Sequence, residues 1–442
     1  MFPNPQDALP LPPQPNLEQY KKLAKELVKA CKSADPEALG AWAAKWVKTL
    51  ARLRGLVITR ELPVRMDRWV RQVEKFARRK LQDSGQNAKC SLADAQFVIA
   101  RAHGFATWPA FAVQITAQLR RNSPESQFES AVDAIVGGDA PALERLLLEN
   151  PGLVRARSAR EHRAALLHYV AANGVEGYRQ RTPKNAVRIA EILLSAGSEV
   201  DAEADVYGGG ATTLGLAATS VHPERAGVQI ALLETLLKHG AELNRRGLAG
   251  NRQPMVTACL ANGRQQAAEF FAARGTPLSL DEAAGVGRLD LLRSFFHPDG
   301  SLKTNATHEQ MAKGFLWACG YGRNEVLAFL LDRGLDLDAH DADGQTGLHW
   351  AAMNRHLDTI ELLLARRAPL EAKNVYGGTV LGQTLWSAAH HPEADVYIPI
   401  VENLLAALAK VPARHPPISH RMDALLEQHG SSTDDRLSWG GQ

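Results

Sequence analysis

Three stretches of this chain gather side chains that can do chemistry or recognition. Gly174-Val-Glu-Gly-Tyr178-Arg179-Gln-Arg181-Thr-Pro183 is rich in arginine. Thr219-Ser-Val-His222-Pro-Glu224-Arg225-Ala-Gly227 and His390-His391-Pro-Glu393-Ala-Asp395-Val-Tyr397 both centre on His-Pro-Glu. An arginine fork pairs bidentately with carboxylates or phosphates, a histidine changes charge near neutral pH, and a tyrosine offers a rigid amphipathic contact. Two further tyrosines, Tyr207 and Tyr376, each lead a Tyr-Gly-Gly run. The candidate partner-binding residues are therefore Tyr178, Arg179, Arg181, Tyr207, His222, Glu224, Arg225, Tyr376, His391, Glu393 and Tyr397. A pocket among Tyr178, Arg179, Tyr207, His222 and Glu224 would instead suit an enzyme or a small-molecule binder. The same residues have a plainer use, in which the glycines shape turns and His-Pro-Glu caps lengthened helices.

Recognised chemistries find no support here. The chain has 15 histidines, but His390 and His391 are adjacent rather than four apart, and no HExxH-type carboxylate completes a metal site. There is no Walker loop, GxSxG, dinucleotide fingerprint, kinase set or deaminase set. Gly208-Gly-Gly210 follows no strand pattern that would make it a phosphate cradle. No catalytic residue, metal or cofactor is assigned.

The elements that position these residues recur at about 33 residues, the mark of stacked helix pairs that cannot bury both faces alone. The clearest unit is Asp343-Gly-Gln-Thr-Gly-Leu-His349-Trp-Ala-Ala352 followed by Ile360-Glu-Leu-Leu-Leu364. Thr346 is placed as a helix N-cap, Leu348 points inward, and Ala351 and Ala352 let helices approach. Other copies read Leu193-Leu194 to Gly197, Leu236-Leu237 to Gly240, Phe270-Phe271 to Gly275 and Leu330-Leu331 to Gly334. The glycine belongs where a helix ends in the left-handed region, a slot held by Arg367 in the clearest unit at a cost of up to about 1 kcal/mol. This pattern resembles the ankyrin repeat, with its Thr-Pro-Leu-His-x-Ala-Ala run, Leu-Leu pair and Gly. The resemblance implies an all-α ankyrin-repeat solenoid of roughly eight units over 125–430. It also implies that His168 and His349, in the usual His slot, bond the backbone of adjacent turns.

The three chemistry-bearing stretches are insertions between the Ala-Ala and Leu-Leu elements of their units, and insertions in a solenoid often elaborate its binding face. Tyr207-Gly-Gly and Tyr376-Gly-Gly each precede His-Pro-Glu by fifteen residues, and seven residues agree at fixed offsets, suggesting a duplicated pair of units. Both tyrosines fall where ankyrin units carry projecting hairpins. The resemblance implies a protein–protein interaction module or scaffold, with a protein partner of unknown identity.

Ahead of the repeats, residues 17–121 read as a basic helical domain. Residues 1–121 carry 21 Lys and Arg against 10 Asp and Glu, whereas the remainder is net −8. Helices are expected from Leu17 to Lys32, Pro36 to Val47 (Asp35 as N-cap), Arg65 to Leu81, Ser91 to Arg101 and Pro109 to Leu119. Leu92 to Pro109 is similar to a segment found ahead of ankyrin arrays in uncharacterised bacterial proteins. Ala95 to Phe111 has a helix-turn-helix rhythm, but Pro109 opens the second helix, which has no Arg, Lys or Asn before Gln114. Nucleic-acid binding is thus a lesser alternative, behind docking of the basic domain on the acidic repeats. The opening 1–16, with six prolines and no leader-like pattern, is expected to be a disordered tail, as is 431–442. No apolar run is long enough to span a membrane. The four cysteines, Cys31, Cys90, Cys259 and Cys319, are far apart and form no CxxC, so neither a zinc site nor a disulfide framework is expected. Sparse cysteines fit a cytoplasmic setting.

Overall fold

A computed structural model describes residues 4–12, 14–33, 35–53, 62–82, 90–120, 122–243 and 253–439. The chain is all-α apart from two-residue strand pairs, and it divides into two compact units, 1–267 and 268–442. The division falls inside the repeats, within helix Gln265–Ala273. At the expected junction, Ser123 caps helix Pro124–Gly137, its hydroxyl accepting from Ser126 N at 3.1 Å, and the chain runs directly into the first helix pair.

The first unit opens with helices Leu17–Cys31, Ala38–Leu53, Leu62–Gln82, Leu92–Ala102 and Trp108–Gln118. Their starts follow the caps in the sequence. Ser91 and Asp94 form a reciprocal capping box, each side chain accepting from the other's backbone N–H at 3.1 Å. Asp35 Oδ1 accepts from Glu37 N at 2.9 Å. Leu27, Trp46, Val73, Ile99 and Phe111 share one core, where His103 stacks on Phe111 with ring centroids 5.2 Å apart. The Pro-rich opening differs from the expected disordered tail: Asp7, Ala8, Leu9 and Leu11 are buried. Leu9 N donates to Ala102 O at 2.7 Å, and the Leu9 carbonyl meets His103 Nδ1 at 2.9 Å. Apolar Leu9 and Leu11 fill the core edge, and Pro10 between them has no N–H to satisfy.

Helix pairs follow. In the first unit the inner row is Pro124–Gly137, the 3-10 segment Leu166–Ala171, Thr213–Thr219 and Met255–Ala261, and the outer row is Ala140–Glu149, Ala186–Ser195 and Gln229–Lys238. In the second unit, inner helices Leu280–Gly285, His308–Gly320, Gly347–Met353 and Val380–Ala389 stack in turn, and so do outer helices Leu289–Arg293, Asn324–Leu331, Leu357–Ala365 and Ile398–Ala406. Ile360 and Leu363 are fully buried there among Leu327, Leu330, Val401 and Leu404, which is why the Leu-Leu signature repeats. Helix His420–Gln428 ends the row. Over its described residues, 431–439, the closing segment departs from the expected disorder, because Ser432–Thr433 pairs in parallel with Arg414–His415 and Trp439 packs on the core; 440–442 lie outside the described residues.

The glycines after the outer helices take left-handed φ as the pattern requires, and Arg367 adopts it too, at +61°. Thr346 is the N-cap, but the histidine closes the cap: His349 Nδ1 accepts from Thr346 N at 3.2 Å, and its Nε2 lies 3.3 Å from Gly378 O in the next unit. His168 Nδ1 likewise accepts from Ala165 N at 3.1 Å.

Candidate interaction surface

The first insert turns inward. Glu176 is fully buried and Arg179 is 5% exposed. Arg160, on the hairpin bridged by Arg157 and Ala165, sends Nη1 to Glu129 Oε1 at 2.6 Å and Nη2 to Oε2 at 3.3 Å. Its Nε lies 2.8 Å from Glu176 Oε1. Arg179 Nη2 reaches Glu129 Oε2 at 2.7 Å and Asp133 Oδ1 at 2.9 Å. Burial alone would raise the pKa of both glutamates, but the two guanidiniums outweigh it, holding Glu129 below and Glu176 well below the usual carboxylate range. Tyr178 Oη accepts from Arg160 Nη2 at 3.4 Å. A cavity of about 250 Å³ opens onto this cluster, yet Arg160 already faces two carboxylates and Arg179 three, so no uncompensated positive charge awaits an anionic ligand.

Tyr178 and Arg179 were expected on an open recognition edge, and the structure places them in this buried network. The insert lies under the opening segment, with Gly177 so near Gln6 that an added Cβ would stand 2.4 Å from its carbonyl oxygen. Arg181 alone of the three is exposed. Glu129, Arg160 and Glu176, the residues that build the site, escape a motif reading; the Glu176–Arg179 spacing of i,i+3 is the one local signal.

The second insert forms the short helix Val221–Arg225. Glu224 ion-pairs with Arg264, His222 is half-buried, and Arg225 is exposed. Burial, then neighbouring Arg225, lowers the His222 pKa. Neither His222 nor Glu224 meets Tyr207, whose hydroxyl donates to Asn173 Oδ1 at 2.7 Å instead. In the third insert His391 Nδ1 accepts from Glu393 N at 3.1 Å, a local cap. Glu393 is exposed, but Tyr397, expected on the recognition surface, is 6% exposed, because its ring fills the core beside Ile398. The helix-turn-helix reading fares no better, since helix Trp108–Gln118 exposes apolar Val113 rather than a phosphate-binding cation.

The tyrosine tips are different. Asn374 Oδ1 accepts from Tyr376 N at 3.1 Å and from Gly378 N at 2.9 Å, closing a tight turn that leaves Val375 62% and Tyr376 58% exposed. Gly377 takes φ +79° at its apex, and Val375 N donates to Asp343 O at 2.9 Å, tying this hairpin to the previous one. Beside it, Trp386 on helix Val380–Ala389 is 37% exposed and stacks on His390 at 4.3 Å. Tyr376, Trp386 and Trp439 with Gln345, Asn374 and Gln383 line a groove of about 480 Å³ whose wall, among the described residues, has no ionisable carboxylate, ammonium or guanidinium. Aromatic faces with neutral amides between them suit burial of a polypeptide surface. Sequence reasoning found Tyr376 and missed Trp386, which the helical period alone placed no differently from a core residue.

Among the described residues no three His, Cys, Asp or Glu are grouped to hold a metal, and no helix is long and apolar enough to cross a membrane.

Residues 315–382, which contain this hairpin, match the family model of ankyrin repeats (many copies). The architecture is thus an all-α stack of helix pairs carrying ankyrin repeats over that segment. Chicken (Gallus gallus) inversin is 42% identical over 60 residues, 13% of this chain and 5% of inversin. A putative ankyrin repeat protein of Rickettsia bellii (strain RML369-C) is 29% identical over 126 residues, 28% of this chain and 66% of that protein. The chain therefore spans a small part of inversin and just under two thirds of the rickettsial protein. The crystal structure of the human ASB11 ankyrin repeat domain aligns with a TM-score of 0.33 at 20% identity, covering 63% of this chain and 96% of that one.

Proposed function

We propose that this chain is a protein-interaction module that seats a protein partner on the groove of the second unit, between the Tyr376 hairpin and Trp386. The observation behind it is two large aromatic side chains held in the open by rigid elements, Tyr376 by the Asn374 turn and Trp386 by a helix. Anchors of this kind dominate protein interfaces, because Tyr and Trp bury much area at small entropic cost. Ankyrin repeats over 315–382 support the same reading. A scaffold role in a bacterial cytoplasm is part of the proposal. It rests on the rickettsial relative, the N-terminal resemblance and the sparse cysteines.

The test is a pull-down with the full chain and with a Tyr376→Ala/Trp386→Ala double variant, read by mass spectrometry. Both side chains are substantially exposed, so the variant should melt close to the parent. A protein recovered by the parent and lost from the variant supports the groove. Equal recovery removes it.

A further inference from the structure

Helices Leu17–Cys31 and Leu92–Ala102 pack together, and the Tyr20 and His103 rings meet at 5.3 Å, so the start of one helix faces the end of the other. From Tyr20 to Cys31 is eleven residues, about 16 Å of helix. The same distance back from His103 reaches the N-terminal end of Leu92–Ala102, where Cys90 precedes the Ser91 cap. The antiparallel register thus brings the end of the first helix, with Cys31, to the start of the second, with Cys90, two cysteines that the sequence holds roughly 60 residues apart. Cys31 is half-buried and Cys90 is 8% exposed, so Cys31 is the more accessible of the two to an incoming reagent. Cys259 and Cys319 are fully buried.

We propose that Cys31 and Cys90 are a reversible dithiol–disulfide pair, closed by exchange with a small disulfide oxidant, which staples the end of helix Leu17–Cys31 to the start of helix Leu92–Ala102. Cys31 loses its proton and attacks one sulfur of the oxidant, forming a mixed disulfide and expelling a thiolate. Cys90, losing its own proton, then attacks the Cys31 sulfur and expels the second thiolate. One protein disulfide replaces two thiols, and the oxidant leaves as two thiols carrying the two protons. Burial, together with the adjacent Cys90 thiol, pushes the Cys31 pKa up. The exchange is therefore slow at neutral pH and accelerates as pH rises.

The experiment exposes the folded full chain to oxidised glutathione, quenches it in denaturant with iodoacetamide, and maps all four cysteines by peptide mass spectrometry. The expected result is a Cys31–Cys90 linked peptide, with Cys259 and Cys319 alkylated, reversed by dithiothreitol and formed faster at pH 8.5 than at pH 7. A Cys90→Ser variant should stop at a stable glutathione adduct on Cys31. The mapping on the unmutated chain does not depend on any variant folding. A glutathione adduct that persists on Cys31 while Cys90 is intact, or oxidation without the linked peptide, would overturn the proposal.

Discussion

Removing the Glu129 charge should unfold the first unit more readily than any surface change. Its carboxylate is 10% exposed and takes Arg160 at 2.6 and 3.3 Å and Arg179 at 2.7 Å. Glu129→Gln keeps the volume but leaves one buried positive charge without its counter-ion. Breaking a buried pair from one side costs about 3–5 kcal/mol, far more than the intact pair's net worth against an apolar replacement. For a unit of this size that is roughly a 10 °C fall in melting temperature. Asp133 provides the control: it also meets Arg179, at 2.9 Å, but is 69% exposed, so Asp133→Asn should cost no more than ~1 kcal/mol. Urea unfolding followed by circular dichroism measures both. The pH dependence has a definite sign. Glu129 is held below its ordinary value when folded. The advantage over Glu129→Gln is complete above the unfolded pKa of about 4.3 and is lost as pH falls through the folded value. A loss below ~1 kcal/mol at neutral pH, equal to that of Asp133→Asn, would mean that water screens the cluster and would refute the argument.

Three more outcomes follow from close approaches and buried rings. Gly177→Ala places a methyl 2.4 Å from the Gln6 carbonyl oxygen, so limited proteolysis should cut residues 4–12 in the variant and spare them in the parent. Gly347→Ala puts its Cβ 2.7 Å from Cys319 Sγ and 2.8 Å from the Phe315 ring, an overpacking worth about 1–3 kcal/mol in thermal unfolding of the second unit. Burial holds His103 and His168 neutral, with pKa values at about 3 and about 4. The stability they confer is fully present above the unfolded histidine pKa of about 6.5 and falls as pH drops below it. A flat urea midpoint for the first unit between pH 7 and 5 would contradict that.

Much of the scaffold was legible because it rests on local rules. Ser91 with Asp94, Asp35 before Pro36 and the Leu-Leu-to-Gly spacing each fix an end of a helix through a few neighbouring residues. Even the departure at Arg367 kept its left-handed backbone, since the tertiary stack imposes it. The inserts were located correctly but their direction was not readable. Whether Arg179 faces water or Glu129 depends on a helix fifty residues earlier, and that pairing leaves no periodic trace. Tyr397 was misplaced for a related reason: a tyrosine in a loop looks like a contact until the core behind it is known. The opening Pro-rich segment looked disordered because its anchoring partners, Ala102 and His103, lie far along the chain. Cys31 and Cys90 are the same case, since only the antiparallel packing of their helices relates them. Tyr376 stood out because its Tyr-Gly-Gly turn is local and repeated.

The most direct test of the interaction-module account is amide hydrogen exchange on the full chain, alone and bound to the partner recovered by the pull-down. Added protection concentrated over residues 374–390, the hairpin and the Trp386 helix, is the result the account predicts. Protection confined to the outer helices Leu357–Ala365 and Ile398–Ala406, with exchange over 374–390 unchanged, would contradict it.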